Sequence, residues 1–481
     1  MTDDDAGVIL NRFQVLCLAT LLAVSPILLP GAGVDAGPRR VNHYETTPGV
    51  RCGPGSRPEG PVQGRVPRKD HESGRAQKGY FCNTQQVAKF GNSGGYRVHR
   101  YIDEKGHECA FFDSTLLYPT NAVSNTEKGP GVIVLDMSNP RKPVQTANLV
   151  TPAMQSPHES FSLNEKRGLI GAVMGYPTFQ PGFVDIYSVK EDCRHPELMS
   201  STPVGLIGHE GNFAPDGKTY WSSGIGILTA VDITDPRTPS VVAFESDYRF
   251  HGLNISNDGT RLYAADLGSN EQQGGPDGTS GLTILDVGEV QRRKPDPEIK
   301  FVSHLTWPTV SIPQTAIPVT IDGHPYVVEI DEFGGGATVG AGRIIDISDE
   351  VRPFIVSNLR LEVNNPDHQE GPQSEDPGAS SGLQGYDGHY CAVPKRADPG
   401  IVACSFIVSG LRVFDIRDPY QPREIAYFNR APDPNAAGYR GSYAMSGPAF
   451  AAERGEIWYT DGYSGFYNVK VTNDVWPFNR S

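Results

Sequence analysis

One short segment recurs along the chain and restricts the folds it can adopt. The segment is an apolar run, an aspartate and a proline-bounded turn, as in GVIVLDMSNPRKP from Gly131, ILTAVDITDPRTP from Ile227 and GLRVFDIRDPYQP from Gly410. Seven copies align at intervals of about 45 to 68 residues, which is typical of propeller blades with loop insertions. They begin at residues 131, 182, 227, 281, 342, 410 and 465. Each run is apolar almost throughout, as expected of a strand covered on both faces.

Each copy is flanked by further short segments of β type. In HGLNISNDGTRLYAAD two such runs surround the turn NDGT at Asn257, and PDGK at Pro215 is a similar turn in which glycine supplies a positive φ. The chain has 54 glycines and 40 prolines but only 20% charged residues, which favours turns over long helices. Four strands in each of seven units predict an all-β fold, a seven-bladed β-propeller of four-stranded antiparallel blades.

The two ends of the repeat region complement each other. The last copy, GFYNVKVT from Gly465, lacks a fourth strand, whereas TQQVAKFGN from Thr84 has the character of a fourth strand with no unit before it. We therefore expect the N-terminal strand to pair with the last copy and to close the ring. Such closure would also remove two exposed sheet edges.

The segments VIVLDMSNPRKP, TAVDITDPRTP and RVFDIRDPYQP resemble LVIVD repeats, which occur in exported or surface β-propeller proteins of bacteria and archaea. The resemblance covers roughly residues 80 to 475. The second and last copies depart from it, because Asp185 comes two places early and the last copy has no aspartate. The resemblance implies a propeller and a location outside the cytoplasm, and it implies no particular reaction.

The N-terminal region predicts export and a simple domain order. Arg12 precedes the apolar run VLCLATLLAVSPILLP, and the small residues Val34 and Ala36 are typical of a signal-peptidase site, so residues 1–36 are expected to be a signal peptide. If that segment is retained, it would be the part that contacts a membrane. Residues 37–80 are rich in Pro, Gly and Arg and predict an extended arm or linker, and residues 81–481 the propeller. The net charge of −14 argues against nucleic-acid binding.

The cysteines predict disulfide bonds. Six of them follow residue 36, and an even number in an exported protein indicates cross-links. Cys391 and Cys404 flank a predicted hairpin and are expected to pair with each other. For the remaining four, the expected pairs are Cys82 with Cys109 and Cys52 with Cys193.

A histidine recurs at one position of three consecutive units. In HESFSLNEKRG, HEGNFAPDGKT and HGLNISNDGT it stands seven residues before the acidic residue of the following turn. Equivalent positions of neighbouring blades converge on the channel mouth, where imidazoles could bind a transition metal with help from carboxylates. The candidate ligands are His158, His209, His251, His389, Glu159 and Glu210. Alternatively, each histidine hydrogen-bonds a neighbouring blade, and repetition alone produces the alignment.

Several functions remain open at this point. The acidic loops GSNEQQGGPDGTSG from Gly268 and NNPDHQEGPQSEDPGASSGLQGYDGH from Asn364 offer oxygen ligands for calcium, although neither has EF-hand spacing. The sequence favours an exported binding or interaction module for an envelope protein, a glycan or a small molecule. The alternatives are a metal-dependent oxidoreductase or hydrolase that uses the convergent histidines, and a purely structural surface protein.

Overall fold

The computed structural model describes residues 41–115, 131–174, 182–205, 208–224, 226–268, 279–332, 339–369, 375–379, 385–432 and 441–478. The expected signal peptide lies outside these ranges, as do most of the first acidic loop and parts of the second. Within the described ranges, no helix has the length and hydropathy that a bilayer crossing requires.

The chain forms a seven-bladed β-propeller of four-stranded antiparallel blades, as predicted. Strands β1 (Tyr80–Cys82) and β2 (Thr84–Phe90) precede the first complete blade. Blades 1 to 3 contain β3 (Val98–Ile102), β4 (Glu108–Asp113), β5 (Val132–Asp136), β6 (Val144–Leu149); β7 (Ser162–Asn164), β8 (Leu169–Val173), β9 (Gly182–Ser188), β10 (Glu197–Gly205); β11 (Glu210–Phe213), β12 (Thr219–Gly224), β13 (Ile227–Asp232) and β14 (Ser240–Ser246). Blades 4 to 7 contain β15 (Phe250–Ile255), β16 (Arg261–Asp266), β17 (Gly281–Asp286), β18 (Lys300–Leu305); β19 (Ile312–Ile321), β20 (His324–Glu332), β21 (Gly342–Asp346), β22 (Phe354–Leu359); β23 (Gly388–Ala392), β24 (Ile401–Phe406), β25 (Gly410–Asp415), β26 (Arg423–Asn429); β27 (Ala449–Ala451), β28 (Glu456–Asp461) and β29 (Gly465–Val471).

The helical segments in the described ranges are short; two of them precede β1, and the others connect strands. The α-helical turns are Arg68–Glu72, Pro152–Gln155, Gly288–Gln291 and Pro366–Gln369, and the 3-10 turns are Ala76–Lys78, Glu362–Asn364, Ile407–Ser409 and Ala452–Arg454.

The ring is closed by the N-terminal strand, which confirms the prediction from the two chain ends. Strand β2 pairs antiparallel with β29 and thereby becomes the outer strand of blade 7, in a register that runs from Thr84 opposite Val471 to Phe90 opposite Phe466. Strand β1 pairs with β26 and adds a fifth strand to blade 6, which the repeat pattern did not predict. The N-terminal segment thus links the first and last parts of the chain through two adjacent blades.

The almost continuous apolar runs are explained by burial on both faces. In β5, Val132 and Val134 pack in one cluster with Ile170 of blade 2. The alternate residues Ile133 and Leu135 pack in another cluster with residues of blade 7. Because successive side chains of a strand point to opposite faces, each blade needs apolar residues at every position of this strand.

The repeated aspartates support turns, as their position before proline predicts. In five copies the carboxylate accepts a hydrogen bond from the backbone N–H two residues later, at 2.8 to 3.1 Å. The five are Asp136, Asp232, Asp286, Asp346 and Asp415. The displaced Asp185 of the second copy has another role, because its buried carboxylate accepts the N–H groups of Ala153 and Met154. The aspartates therefore serve local structure.

Part of the segment before β1 packs on blades 5 and 6. Its Glu59 carboxylate lies 2.7 Å from the guanidinium of Arg412, which is fully buried in β25. Its Gln63 side chain donates to Glu424 at 2.9 Å, and Arg65 pairs with Asp376 at 2.8 Å. These polar contacts connect the segment to residues more than 300 positions away in the sequence.

Three disulfides are present, and two of them differ from the expected pairs. Cys391 bonds Cys404 at the base of the predicted hairpin. The expected bonds Cys82–Cys109 and Cys52–Cys193 are wrong: Cys52 bonds Cys82, and Cys109 bonds Cys193.

The packing of neighbouring segments explains the corrected pairs. The segment that carries Cys52 runs beside β1, where Arg57 bridges Phe81, so the Cys52 thiol lies next to Cys82. The turn of blade 2 that carries Cys193 is held against blade 1, because the Cys193 N–H donates to the Asp103 carboxylate at 2.9 Å.

Replacing Asp136 tests the role of the repeated aspartate. Asp136→Ala should lower the free energy of unfolding by about 1 kcal/mol, because the N–H of Ser138 loses its acceptor. Asp136→Asn keeps an acceptor oxygen and removes the same charge, so its loss should be less than half as large. Denaturant unfolding of the two variants measures the difference, and equal losses would contradict the turn role.

Each disulfide should stabilise the folded protein by an amount that increases with the length of the loop it closes. Chain entropy predicts a loss of about 3 kcal/mol for Cys391→Ala with Cys404→Ala, whose sequence separation is 13. It predicts a loss of about 4.6 kcal/mol for Cys109→Ala with Cys193→Ala, whose separation is 84. Denaturant midpoints of both double variants, compared with the oxidised wild-type protein, check the order.

Candidate functional site

The candidate ligands meet at one end of the channel, near the start of the inner strands. His158 and Glu159 precede β7, and His209 directly precedes β11, whose first residue is Glu210. A bridge between the backbones of Glu159 and Glu210 joins these two blades. Blade 4 contributes His251 from β15, blade 5 contributes Glu332 from the end of β20, and blade 6 contributes His389 from β23. We call these seven residues the histidine–glutamate cluster: His158, Glu159, His209, Glu210, His251, Glu332 and His389.

Glu159 occupies the centre of this cluster. Its Oε2 lies 3.4 Å from Nε2 of His209 and 3.4 Å from Nδ1 of His251. Nδ1 of His158 is 3.7 Å from the same oxygen. The other oxygen, Oε1, is 3.4 Å from Nε2 of His389. One buried carboxylate thus faces four imidazole rings from four blades.

His389 shows that the cluster needs additional positive charge. Its Nδ1 lies 2.6 Å from the carbonyl oxygen of Met445, so Nδ1 carries a hydrogen and donates it. Its Nε2 then faces two carboxylates, Glu332 at 3.0 Å and Glu159 at 3.4 Å. A neutral ring would place a lone pair against two anionic oxygens. Either a second proton or a cation at this position removes the conflict.

Arg97 and Tyr390 hold the side of the cluster that faces the channel interior. The Arg97 guanidinium pairs with Glu210 at 2.6 Å and donates to the backbone carbonyl of Glu159 at 3.0 Å. The Tyr390 hydroxyl donates to Glu210 at 2.8 Å, and its ring lies 4.2 Å below the Arg97 guanidinium. Tyr96 packs against the rings of His158 and His389 with centroid distances of 4.5 and 5.4 Å. These contacts fix the orientation of the groups around Glu159.

The pKa values of His158 and His251 are shifted in opposite directions. Burial lowers the pKa of His158 to about 3, and the neighbouring His209 acts in the same direction, so the His158 ring is neutral. Burial also opposes the charged form of His251, but Glu159, Glu210 and Glu332 raise its pKa well above the usual value.

Glu159 and Glu332 stay ionised despite their burial. Burial alone would raise the pKa of Glu159, yet the neighbouring His251 holds it well below its usual range. Burial likewise opposes ionisation of Glu332, whose pKa is nonetheless lowered by hydrogen bonds from His251 and His389. With three carboxylates, one guanidinium and neutral rings, the cluster with Arg97 would carry two negative charges.

His158 is held in a strained backbone conformation. Its φ of 49° lies in the left-handed region, which costs a non-glycine residue on the order of 1 kcal/mol or more. Its side chain is buried against Tyr96 and His209. Such strain at a buried polar cluster is common where a functional geometry is imposed on the backbone.

The ligand atoms have a spacing that suits a metal ion. Atoms about 2.1 Å from a metal are roughly 3.0 to 3.4 Å apart in octahedral or tetrahedral sites. The distances from Glu159 Oε2 to the nitrogens of His209 and His251 match this range. Glu159 Oε2 and His251 Nδ1 are both buried and make no hydrogen bond with any described residue. Three overlapping groups of possible ligands share Glu159.

Sequence reasoning missed four residues around this site. Tyr96 and Arg97 stand just before the inner strand of blade 1, as His158 does in blade 2, so an alignment of all seven blades would have found them. Tyr390 directly follows the candidate His389. Glu332 comes from the second strand of its blade, and no repeat position marks it.

A second group of possible ligands is already used within the fold. Asp103, His107 and Asp192 lie close together beside the Cys109–Cys193 disulfide. The Asp103 carboxylate accepts the N–H groups of Lys105, His107 and Cys193 and the ring of His107. Asp192 pairs with Arg194 at 2.9 Å. This group therefore stabilises the junction of blades 1 and 2.

Comparisons with known proteins gave only distant structural likenesses. No family model and no curated protein matches the chain. Hydrazine synthase from Kuenenia stuttgartiensis is 13% identical with a TM-score of 0.49, over 80% of this chain and 97% of that chain. The β-propeller domain of Cps50 (Swd1) from Myceliophteria thermophila is 11% identical with a TM-score of 0.49, over 80% and 98%. A putative 6-phosphogluconolactonase from Bacteroides fragilis is 11% identical with a TM-score of 0.46, over 72% and 92%. At such identities the likeness concerns the fold alone.

The pH dependence of stability tests the role of Asp113, which holds the backbone of Tyr96 and Arg97 next to the site. Its buried carboxylate accepts the N–H groups of Tyr96 and Arg97, and burial raises its pKa to about 7. The folded protein therefore holds this proton more tightly than the unfolded chain, and stability falls as pH rises from about 4 through 7.

Asp113→Asn should remove this pH dependence. The difference in unfolding free energy, wild type minus variant, should decrease by on the order of 2 to 4 kcal/mol between pH 4 and pH 8. Denaturant titrations at four pH values measure it. A difference that stays constant would contradict the raised pKa of Asp113.

Proposed function

We propose that this protein is an exported β-propeller that binds one divalent transition-metal ion at the channel mouth and uses this site to bind a small molecule. Glu159, His158, His209 and His251 are the principal ligands, and Glu332 and His389 complete the surroundings. One observation carries the proposal: Glu159 Oε2 and His251 Nδ1 are buried, lie 3.4 Å apart, and have no hydrogen-bond partner among the residues described.

The charge balance supports a divalent cation. The cluster and Arg97 would carry two negative charges with neutral rings, and a divalent ion compensates both. The raised pKa of His251 reflects the same demand, because a proton on this ring supplies part of the missing positive charge. Since metal ions and protons compete for imidazole nitrogen, binding should weaken in acid.

The chemistry of the ligand atoms favours a transition metal over calcium. Imidazole nitrogens suit zinc, copper, iron and nickel, whereas calcium prefers an all-oxygen site. The alternative expected from the sequence, that each histidine only bonds a neighbouring blade, applies to His389, whose Nδ1 bonds Met445, and to His209 and His251, whose Nε2 atoms lie 3.0 Å apart. Such a bond also orients the opposite nitrogen, as is common for the outer partners of metal ligands.

Export and the LVIVD assignment belong to the same proposal. Three disulfides favour an oxidising compartment, and the N-terminal sequence has the order of a signal peptide. Three copies of the repeat resemble LVIVD segments.

A second candidate is a metal-dependent enzyme, an oxidoreductase or a hydrolase. The observation in its favour is the opposite perturbation of two neighbouring rings: the pKa of His158 is lowered to about 3, whereas that of His251 is raised. Groups with pKa values pushed apart are suited to acid and base roles. Metal-loaded protein assayed for oxygen uptake and for hydrolysis of chromogenic esters tests this candidate, with the metal-binding variants below as inactive controls.

Direct metal measurements test the main proposal. The purified protein, treated with chelator and then titrated with zinc, copper or nickel chloride, should bind one equivalent of at least one of these ions. The variant His158→Ala with His209→Ala and His251→Ala should lose this binding. Glu159→Gln should weaken it at least tenfold, because an amide oxygen is a poorer ligand than a carboxylate. Calorimetry and elemental analysis give the stoichiometry.

The matched control is His195→Ala, which removes an exposed ring outside the cluster and should bind metal like the wild type. The same ion should raise the unfolding temperature of wild type and control but not of the triple variant. The proposal would be overturned if the wild-type protein bound none of the three ions, or if the triple variant bound metal as tightly as the wild type does.

A further inference from the structure

A large cavity occupies the other end of the channel. It has a volume of about 980 Å³, which is within the range of small-molecule sites. The inner strands lead from the histidine–glutamate cluster to it: His209 is followed by Asn212, and His251 by Asn254, and both asparagines line the cavity. Arg97 lines its inner end and separates it from Glu210. The cavity is therefore distinct from the proposed metal site.

The cavity is rich in positive charge, although the chain as a whole has a net charge of −14. Five cationic side chains and two carboxylates line it. Two of the cations are paired: Arg97 with Glu210, and Arg100 with Glu108 and Glu453. The other three, Lys166, Lys395 and Arg396, form no ion pair with any residue in the described ranges. The cavity therefore has a local excess of positive charge, whereas the net charge of the whole chain is negative.

Arg396 is the most constrained of these cations. Its guanidinium donates to neutral acceptors: the backbone carbonyl of Ile255, the side chain of Asn254 at 3.2 Å and that of Asn257 at 3.4 Å. Burial lowers its pKa to about 10, and only Tyr263 acts in the opposite direction. The Arg396 side chain is partly buried and has no carboxylate partner in the described ranges, so an anion in the cavity would compensate its charge.

The protein holds Arg396 in place through a rigid hairpin. Strands β23 and β24 are joined by the segment that contains Lys395 and Arg396, and the Cys391–Cys404 disulfide closes its base. The tip of the hairpin pairs with β19, because the N–H of Thr320 donates to the carbonyl of Arg396 at 2.8 Å. The guanidinium is therefore presented to the cavity before any ligand arrives.

Neutral hydrogen-bonding groups continue the same wall. Asn212 donates its amide to Asn254 Oδ1 at 2.9 Å, and Asn254 Oδ1 also accepts from Arg396. The Asn254 amide donates to the Thr315 hydroxyl at 3.4 Å, and the NH₂ group of each asparagine has a second hydrogen that these contacts do not use. The unused amide hydrogens, together with the Arg396 guanidinium, suit an oxyanion with several acceptor oxygens.

We propose that this cavity binds a small solute bearing an oxyanion, a carboxylate or a phosphate group, with Arg396 as its principal anchor. Lys395 and Lys166, exposed at the rim, attract the anion, and the Asn212–Asn254 pair donates hydrogen bonds to it. Neither the site nor its ligand depends on metal in the histidine–glutamate cluster.

Calorimetric titration of the purified protein with sodium phosphate, glucose 6-phosphate and citrate tests the proposal. At least one of them should bind with one equivalent per chain, and glucose should not bind. The phosphate and citrate titrations distinguish the two oxyanion classes. Arg396→Gln should weaken binding at least tenfold, because it removes the charged fork from the wall. Higher salt should weaken binding by the wild type.

Two further variants keep the test decisive. Lys395→Gln changes an exposed rim residue, so it should fold normally and weaken binding about two- to fivefold. Arg352→Gln removes an exposed arginine that pairs with Asp349 away from the cavity, and it should bind like the wild type. The triple histidine variant should also retain anion binding, which separates this inference from the metal proposal. No binding of any of the three anions, or equal binding by Arg396→Gln and Arg352→Gln, would overturn it.

Discussion

Closure of the ring is the constraint on which the rest of the structure depends. Strand β2 pairs with β29, and this pairing holds residues near position 84 against residues near position 471. Once the ring is closed, the inner strands of all blades lie around one axis. Only then do side chains as distant in sequence as Arg97 and Tyr390 meet at 3.2 Å. The Cys109–Cys193 disulfide and the N-terminal segment add further links between neighbouring blades.

The buried carboxylates in the channel determine that the site takes up protons or a metal ion. Glu159 is ionised and almost fully buried, and burial of an unpaired carboxylate is unfavourable. Arg97 compensates Glu210, while the rings around Glu159 supply either protons or metal ligands. This arrangement costs free energy, and so does the left-handed backbone of His158. A core with a purely structural role would avoid both costs.

The two ends of the channel have opposite electrostatic character. One end concentrates the carboxylates of the histidine–glutamate cluster, and the other concentrates cations around Arg396. Arg97 lies at the boundary, since it lines the cavity and pairs with Glu210. The propeller thus provides two chemically different sites on a single axis. A cation suits one of them, and an oxyanion suits the other.

The sequence by itself determined the features that depend on short-range order. The apolar runs predicted double-faced burial, the aspartates before proline predicted turns such as that of Asp136, and TQQVAKFGN predicted the closing strand. The shared spacing of His158, His209 and His251 placed their rings at one end of the channel, because equivalent positions of repeated units have equivalent locations. Tertiary structure alone decided the rest. The partner of Cys52 depends on the path of a segment without periodicity, and the approach of Glu332 to His389 and of Arg396 to Asn254 depends on the radius of the ring and the rotation between blades. Local propensity does not encode these two quantities, since they arise from the packing of all seven sheets together.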